Sequence, residues 1–174
     1  RMGGFVERAT DVDVVSDLMI HDIDIILSLV DAGIRHISAV GASVLTEHVD
    51  IASARLEFVN GTVANVVASR VSDKPTRRIR VFQPGRYLSL DFIAQSIDIA
   101  ETRSVADAAR PEIARERIQV DPVKPLDLEL AEFVRCIRDG QPPLVDGQVG
   151  LKALEVALEV RARIAEAGAL QRGA

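Results

Sequence analysis

Asp17, His21 and Asp24 stand at i, i+4 and i+7 within residues 14–30, a run that is otherwise mostly Val, Leu, Met and Ile. On an α-helix these three and Ser28 line one polar stripe, and the remaining faces read as buried nearly all round. Ionisable groups are seldom buried without a partner or a task. A carboxylate beside an imidazole stabilises the charged ring, fixes its tautomer and orients it. An imidazole held that way can take a proton from a hydroxyl and hand it back. The same residues could instead form a buried polar network that only specifies packing, and their spacing leaves both readings open.

The elements that must carry this stripe follow from periodicity and turn chemistry. The helix is expected over residues 13–30, stopped by Asp31-Ala32-Gly33 with Gly33 in the left-handed conformation. A strand follows over 36–45. Asn60-Gly61 between the β-rich runs 51–59 and 62–71 favours a hairpin with a two-residue type I′ turn. That turn pairs Phe58 with Val63, Leu56 with Asn65 and Ala54 with Val67. It thereby puts Ala52, Ala54, Leu56, Phe58, Val63 and Val67 on the core face. A second hairpin is expected over 77–92 around Gln83-Pro84-Gly85-Arg86, with further strands over 95–101 and 113–120. Residues 102–111 read as a loop or short helix, and Asp121-Pro122-Val123-Lys124-Pro125 breaks the chain. Two amphipathic helices close it. One carries Leu126, Leu130, Phe133, Val134 and Ile137 and ends at Asp139-Gly140; the other is capped by Asp146 and carries Leu151, Leu154, Leu158 and Ile164. The fold class is α+β: a mostly antiparallel, open-faced sheet of about five to seven strands with helices packed on one face.

Composition bounds the function. The 174 residues suit one domain with a real core, and a formal charge of −5 argues against a nucleic-acid binder. Arginines do cluster at Arg77, Arg78 and Arg80; strand alternation puts Arg78 and Arg80 on one face, where an anionic group could sit. Cys136 is the single cysteine, which excludes an internal disulfide and makes a cytoplasmic location the expectation. Its apolar helical setting reads as a packed small side chain. No apolar run reaches membrane-spanning length and no secretory signal opens the chain, so no membrane partner is expected. The start at Arg1 hints at a fragment of a longer chain. His21, Asp22, Asp24, Glu47, His48 and Asp50 offer ligand atoms, but neither an H-E-x-x-H helix nor a Cys/His spacing appears, so no metal site is expected. No G-x-G-x-x-G, G-x-x-x-x-G-K-[ST] or G-x-S-x-G is present, so this chain has no visible nucleotide-binding apparatus.

The segment Asp17-Leu18-Met19-Ile20-His21-Asp22-Ile23-Asp24 resembles the D-x-x-x-H-x-x-D stretch that begins the C-terminal domain of Gfo/Idh/MocA oxidoreductases. The resemblance extends through Leu56-Glu57-Phe58-x-Asn60-Gly61 to Pro143-Leu144-Val145-Asp146-Gly147, nearly the whole chain. It implies that residues 1–174 are a C-terminal substrate-binding, catalytic and oligomerisation domain, with an N-terminal Rossmann domain absent from this chain. It further implies an NAD(P)-dependent dehydrogenase acting on a hydroxyl of a sugar, nucleotide sugar or cyclitol, inactive as an isolated domain, with NAD or NADP bound mainly by the missing domain. By the same resemblance His21 is the proton acceptor and Asp17 the acid that orients it, while Asp24 anchors the helix. Arg8, or Arg78 with Arg80, could pair with a substrate phosphate. A homo-oligomer formed by stacking open sheet faces is implied, and the face of Ile79, Val81, Leu88 and Leu90 would fit it. The alternative is a non-catalytic, sheet-mediated binding or assembly module.

Overall fold

The computed structural model describes residues 1–5, 11–103 and 112–172. In chain order its elements are a π-helical turn Val15–Met19, α1 (Ile20–Leu29), β1 (Ile34–Ala42), β2 (Ile51–Phe58), β3 (Val63–Ser69), β4 (Arg78–Gln83), β5 (Arg86–Asp91), β6 (Ser96–Arg103), β7 (Glu112–Gln119), α2 (Pro125–Asp139) and α3 (Gly147–Arg172). The fold is α+β and every strand pairing is antiparallel. The seven strands form two sheets, β1-β2-β3 and β4-β5-β6-β7. They belong to two compact units, Arg1–Pro75 with Pro142–Ala174, and Thr76–Gln141.

The first unit holds the apolar core. Val14, Val15, Met19 and Ile23 pack with Leu56, Phe58 and Val66 of the sheet and with Ala157 and Val160 of α3. Small residues set the spacing between α3 and the sheet. A Cβ on Gly41 would sit 2.7 Å from Val49 Cγ1 and 3.1 Å from Ile164 Cγ2, so this close approach requires glycine. Ala153, Ala157, Val160 and Ile164 are buried, whereas Leu151, Leu154 and Leu158 are exposed. Of the stripe expected from sequence, only Ile164 points to the core.

The β2–β3 connection also differs from expectation. The N–H of Gly61 donates to Phe58 O, Gly61 takes φ +83°, and Asn60 does not share a positive φ. A type I′ turn needs positive φ at both central residues, so this is a type I turn followed by a left-handed glycine. The three-residue loop pairs Glu57 with Val63, Leu56 with Ala64 and Ala54 with Val66. That register is one residue off the expected one, and a one-residue slip exchanges the faces of β3. Val66 and Ala68 are therefore buried, while Val63 and Val67 are exposed. The end of α1 is corrected too: its C-cap is Val30 in extended conformation, and Gly33 is not among the glycines of positive φ.

In the second unit β4–β7 form a meander. The β4–β5 hairpin turns through Pro84-Gly85, with Gly85 at φ +72°, and pairs Gln83 with Arg86. Ile79, Val81, Leu88 and Leu90 share one half-buried face; Arg78, Arg80, Tyr87 and Ser89 share the other. The α2 helix ends as expected at Gly140, left-handed at φ +63°. Its apolar stripe Leu126, Leu130, Phe133, Val134 and Ile137 is exposed in the described chain, and only Cys136 is buried.

Candidate functional site

The start of the site helix is fixed by a buried polar framework. Asp13 Oδ1 accepts the N–H groups of Val15 and Ser16, both at 3.0 Å, and its other oxygen pairs with Arg161 at 2.8 Å. Such a side chain satisfies amides that the first turn leaves without intrahelical partners. The N–H of Val14 donates to Val49 O at 2.9 Å, and Arg70 Nη2 donates to Val12 O at 2.7 Å. Arg70 lies 3.8 Å from Asp50, so the segment entering the helix is tied to the loop before β2.

Asp50 organises that loop. Its carboxylate is fully buried and accepts the N–H groups of Val44, Leu45 and Thr46 and the Thr46 hydroxyl, at 2.7 to 2.9 Å. Burial alone pushes such a carboxyl up. Here the amides of Thr46, Leu45 and Val44, with the Thr46 hydroxyl, outweigh it and hold the group far below the usual carboxylate range. Sequence reading weighed Asp50 only as a metal ligand. The signal it passed over was an Asp closing a polar loop just before a strand, where Asp commonly accepts nearby backbone amides.

On the helix itself, His21 is exposed and Asp17 half-buried, while Val15, Met19 and Ile23 face the core. The stripe thus lies on the outward side, and the helix is not buried all round: Leu29 is exposed and Ile20, Ile26 and Leu27 are half-buried. Among the described residues no hydrogen bond or ion pair joins Asp17 to His21. The reason is local. Asp17 sits in a π turn, where the N–H of Ile20 reaches back five residues to Val15 O, so the register of an unbroken α-helix does not hold from Asp17 to His21. The carboxylate that anchors the helix is Asp22, not Asp24: it is buried and pairs with Arg1 at 3.2 Å. The stripe's last member, Ser28, donates to Ile25 O.

The arginines divide between outcomes. Arg8 lies outside the described residues. Arg78 and Arg80 share a sheet face as expected, and Arg77 stands on the other side with its guanidinium 5.0 Å from the Phe92 ring. Arg78 is engaged by Asp91 at 2.5 Å; Arg80 has no such partner. Cys136 is buried 3.6 Å from Glu132, and burial followed by that contact pushes its thiol up, away from thiolate chemistry. Among the described residues no three His, Cys, Asp or Glu gather as a metal-holding group, and no helix is long and apolar enough to cross a membrane.

Residues 2–83 match the GFO/IDH/MocA C-terminal domain model. Over that stretch the chain is similar to this domain family. It is 37% identical over 164 residues to the UDP-N-acetylglucosamine 3-dehydrogenase of Acidithiobacillus ferrooxidans, a match covering 94% of this chain and 52% of the relative. The crystal structure of that enzyme superposes with a TM-score of 0.85 at 36% identity, over the same shares of the two chains. The aldose-aldose oxidoreductase of Caulobacter crescentus, at 20% identity, shares the fold with a TM-score of 0.68, over 95% of this chain and 52% of that one. The chain therefore spans about half the length of these relatives.

The described residues do not fit a nicotinamide dinucleotide. Helix starts that could face its pyrophosphate already carry carboxylates: Asp13 at the π turn, Asp127 in the first turn of α2, and Asp146 at α3, where it accepts the amides of Gln148 and Val149. A carboxylate there repels a phosphate, and Asp13 and Asp146 also occupy the amides.

Proposed function

We propose that this domain is the substrate-binding half of an NAD(P)-dependent dehydrogenase acting on a hydroxyl of a sugar, nucleotide sugar or cyclitol. The likeness to a UDP-N-acetylglucosamine 3-dehydrogenase across 94% of the chain carries the reading and favours a nucleotide sugar. NAD or NADP supplies the oxidising chemistry and is held by a Rossmann domain outside this chain. The task left to this chain is to hold the sugar and accept the hydroxyl proton. His21 is the acceptor: its ring is exposed at the end of a π turn, on a helix whose opposite side is locked into the core. Asp17, half-buried one turn earlier, orients ring and substrate once a sugar hydroxyl bridges the two. Arg78 and Arg80 supply positive charge for a substrate phosphate. Assembly as a homo-oligomer uses the face of Ile79, Val81, Leu88 and Leu90.

The test uses the full-length polypeptide, UDP-N-acetylglucosamine and each dinucleotide. His21→Ala is expected to lower kcat by about 100-fold or more while dinucleotide affinity stays within about twofold. Wild-type turnover in that variant would remove His21 from the mechanism.

A further inference from the structure

One face of the four-stranded sheet has a composition that its own pairings do not use up. Strand alternation gathers Arg78, Arg80, Arg115 and Arg117 there against only two carboxylates, Asp91 and Asp98. Asp91 is taken by Arg78 at 2.5 Å, and Asp98 by Arg117 at 3.5 Å. Arg80 and Arg115 have no carboxylate partner. The face therefore carries two unmatched positive charges, although the whole chain is acidic at −5.

The arginines stand on the outer strands and the middle strands are low. β4 and β7 are three spacings apart, about 14 Å, a width that arginine side chains can close from both sides. Between them Ser89, Asp98 and Ala100 make a floor, leaving a hollow of about 460 Å³ bordered by Tyr87, Arg78, Arg115 and Arg117, with the Asp98 carboxylate turned to Arg117. That is the size of a small-molecule site. Ser89 borders the hollow at only 6% exposure, and its hydroxyl has no hydrogen-bond partner among the described residues. Glu116 also borders the hollow, but alternation puts its side chain on the opposite face, beside Ile99.

Next to the arginines lies an aromatic platform. Phe82 and Tyr87 face each other across β4 and β5 with ring centroids 5.1 Å apart, in the same cross-strand row as Arg115. Phe82 is 75% exposed and tilted 44° to Tyr87, so the outer face of its ring is open to a stacking partner. Adjacent guanidinium and aromatic groups are the pairing that recognises phosphate joined to a base.

We propose that this face binds a nucleoside diphosphate, with the phosphates on Arg80, Arg115 and the Ser89 hydroxyl and the base on Phe82 and Tyr87. The ligand has two sources of the same chemistry: the nucleotide half of a sugar substrate, which rests on the dehydrogenase reading, or a free nucleotide.

The experiment is calorimetric titration of the full-length polypeptide with UDP and with inorganic diphosphate, in low salt. The double variant Arg80→Ala/Arg115→Ala is expected to bind both probes about tenfold more weakly or worse. Phe82→Ser, a surface change, is expected to weaken UDP by about tenfold and leave inorganic diphosphate unaffected, because only the base stacks. In turnover with UDP-N-acetylglucosamine, a KM raised far more than kcat is lowered assigns the site to the substrate. A UDP effect on rate that does not compete with the sugar assigns it to a free nucleotide. UDP affinity unchanged in both variants overturns the proposal. So does an arginine variant that changes only the mass measured by light scattering, which would make the face a contact between copies. If the wild type binds UDP and the variants lose it, while no sugar is oxidised, the dehydrogenase reading falls and the nucleotide site stands.

Discussion

The two units of this chain solve the same problem by different means. In the first, a three-stranded sheet is covered by α1 and α3, and every member of the buried apolar cluster belongs to it. In the second, the residues buried among those described are Ser89, Ser96 and Cys136, and order comes from strand ladders reinforced by cross-strand pairs such as Arg78–Asp91 and Arg86–Glu101. Close packing favours precise positioning, which suits the proposal that this helix presents one imidazole. A ladder with polar residues on one face costs little to leave hydrated, which suits recognition of a charged ligand.

Four substitutions grade that contrast. His21→Ala in the full-length polypeptide has the largest expected consequence for activity, as set out above. For stability, Phe58→Ala empties the centre of the first core and is expected to cost about 4 kcal/mol, read by chemical denaturation. A loss below about 1 kcal/mol would mean that this core is not the stabilising centre. Next is Asp50→Asn, which puts an amide donor against three backbone N–H groups and is expected to cost about 3 kcal/mol at neutral pH. The sign of its pH dependence follows from the depressed carboxyl. A group whose folded value lies below its ordinary 3.8 stabilises the fold above that value and loses this contribution as pH falls toward the depressed one. Wild-type stability should therefore fall below about pH 4, and the Asn variant should lack that part of the slope. Equal acid slopes in both proteins would refute the assignment. Smallest is Arg86→Ala: its pair with Glu101 is about half exposed on both sides, so the expected change stays below about 1 kcal/mol. A larger loss would show that the second unit depends on its ion pairs more than exposed pairs allow.

Much of this architecture could be read from local chemistry. Pro84-Gly85 marked a two-residue turn, Gly140 the end of α2, and Asp146 the cap of α3, because each is a contest between neighbours in the chain. The alternation that set Arg78 and Arg80 on one face and Ile79 and Val81 on the other is likewise a property of an extended backbone. Three features were settled at longer range. The loop at Asn60-Gly61 closed with three residues rather than two, and that placed Val66 and Ala68 in the core in place of Val63 and Val67. On α3 Ala153, Ala157, Val160 and Ile164 turned inward and the leucines outward, with Ile164 packed where β1 has Gly41. At the site, the residue types were legible but their geometry was not: the π turn set Asp17 and His21 out of the α-helical register that their spacing assumes.

The amino-acid sequence by itself determined which residues could do chemistry, where the chain turns, and which side chains alternate along each strand, since these depend on groups a few bonds apart. Tertiary packing decided which face of each element is covered, how the Asp50–Arg70 framework pins the entrance of the helix, and which arginines keep an unmatched charge. Alternation alone did mark the covered face of β2, where Ala52, Ala54, Leu56 and Phe58 are buried, but the other outcomes depend on volumes and partners brought together from distant parts of the chain.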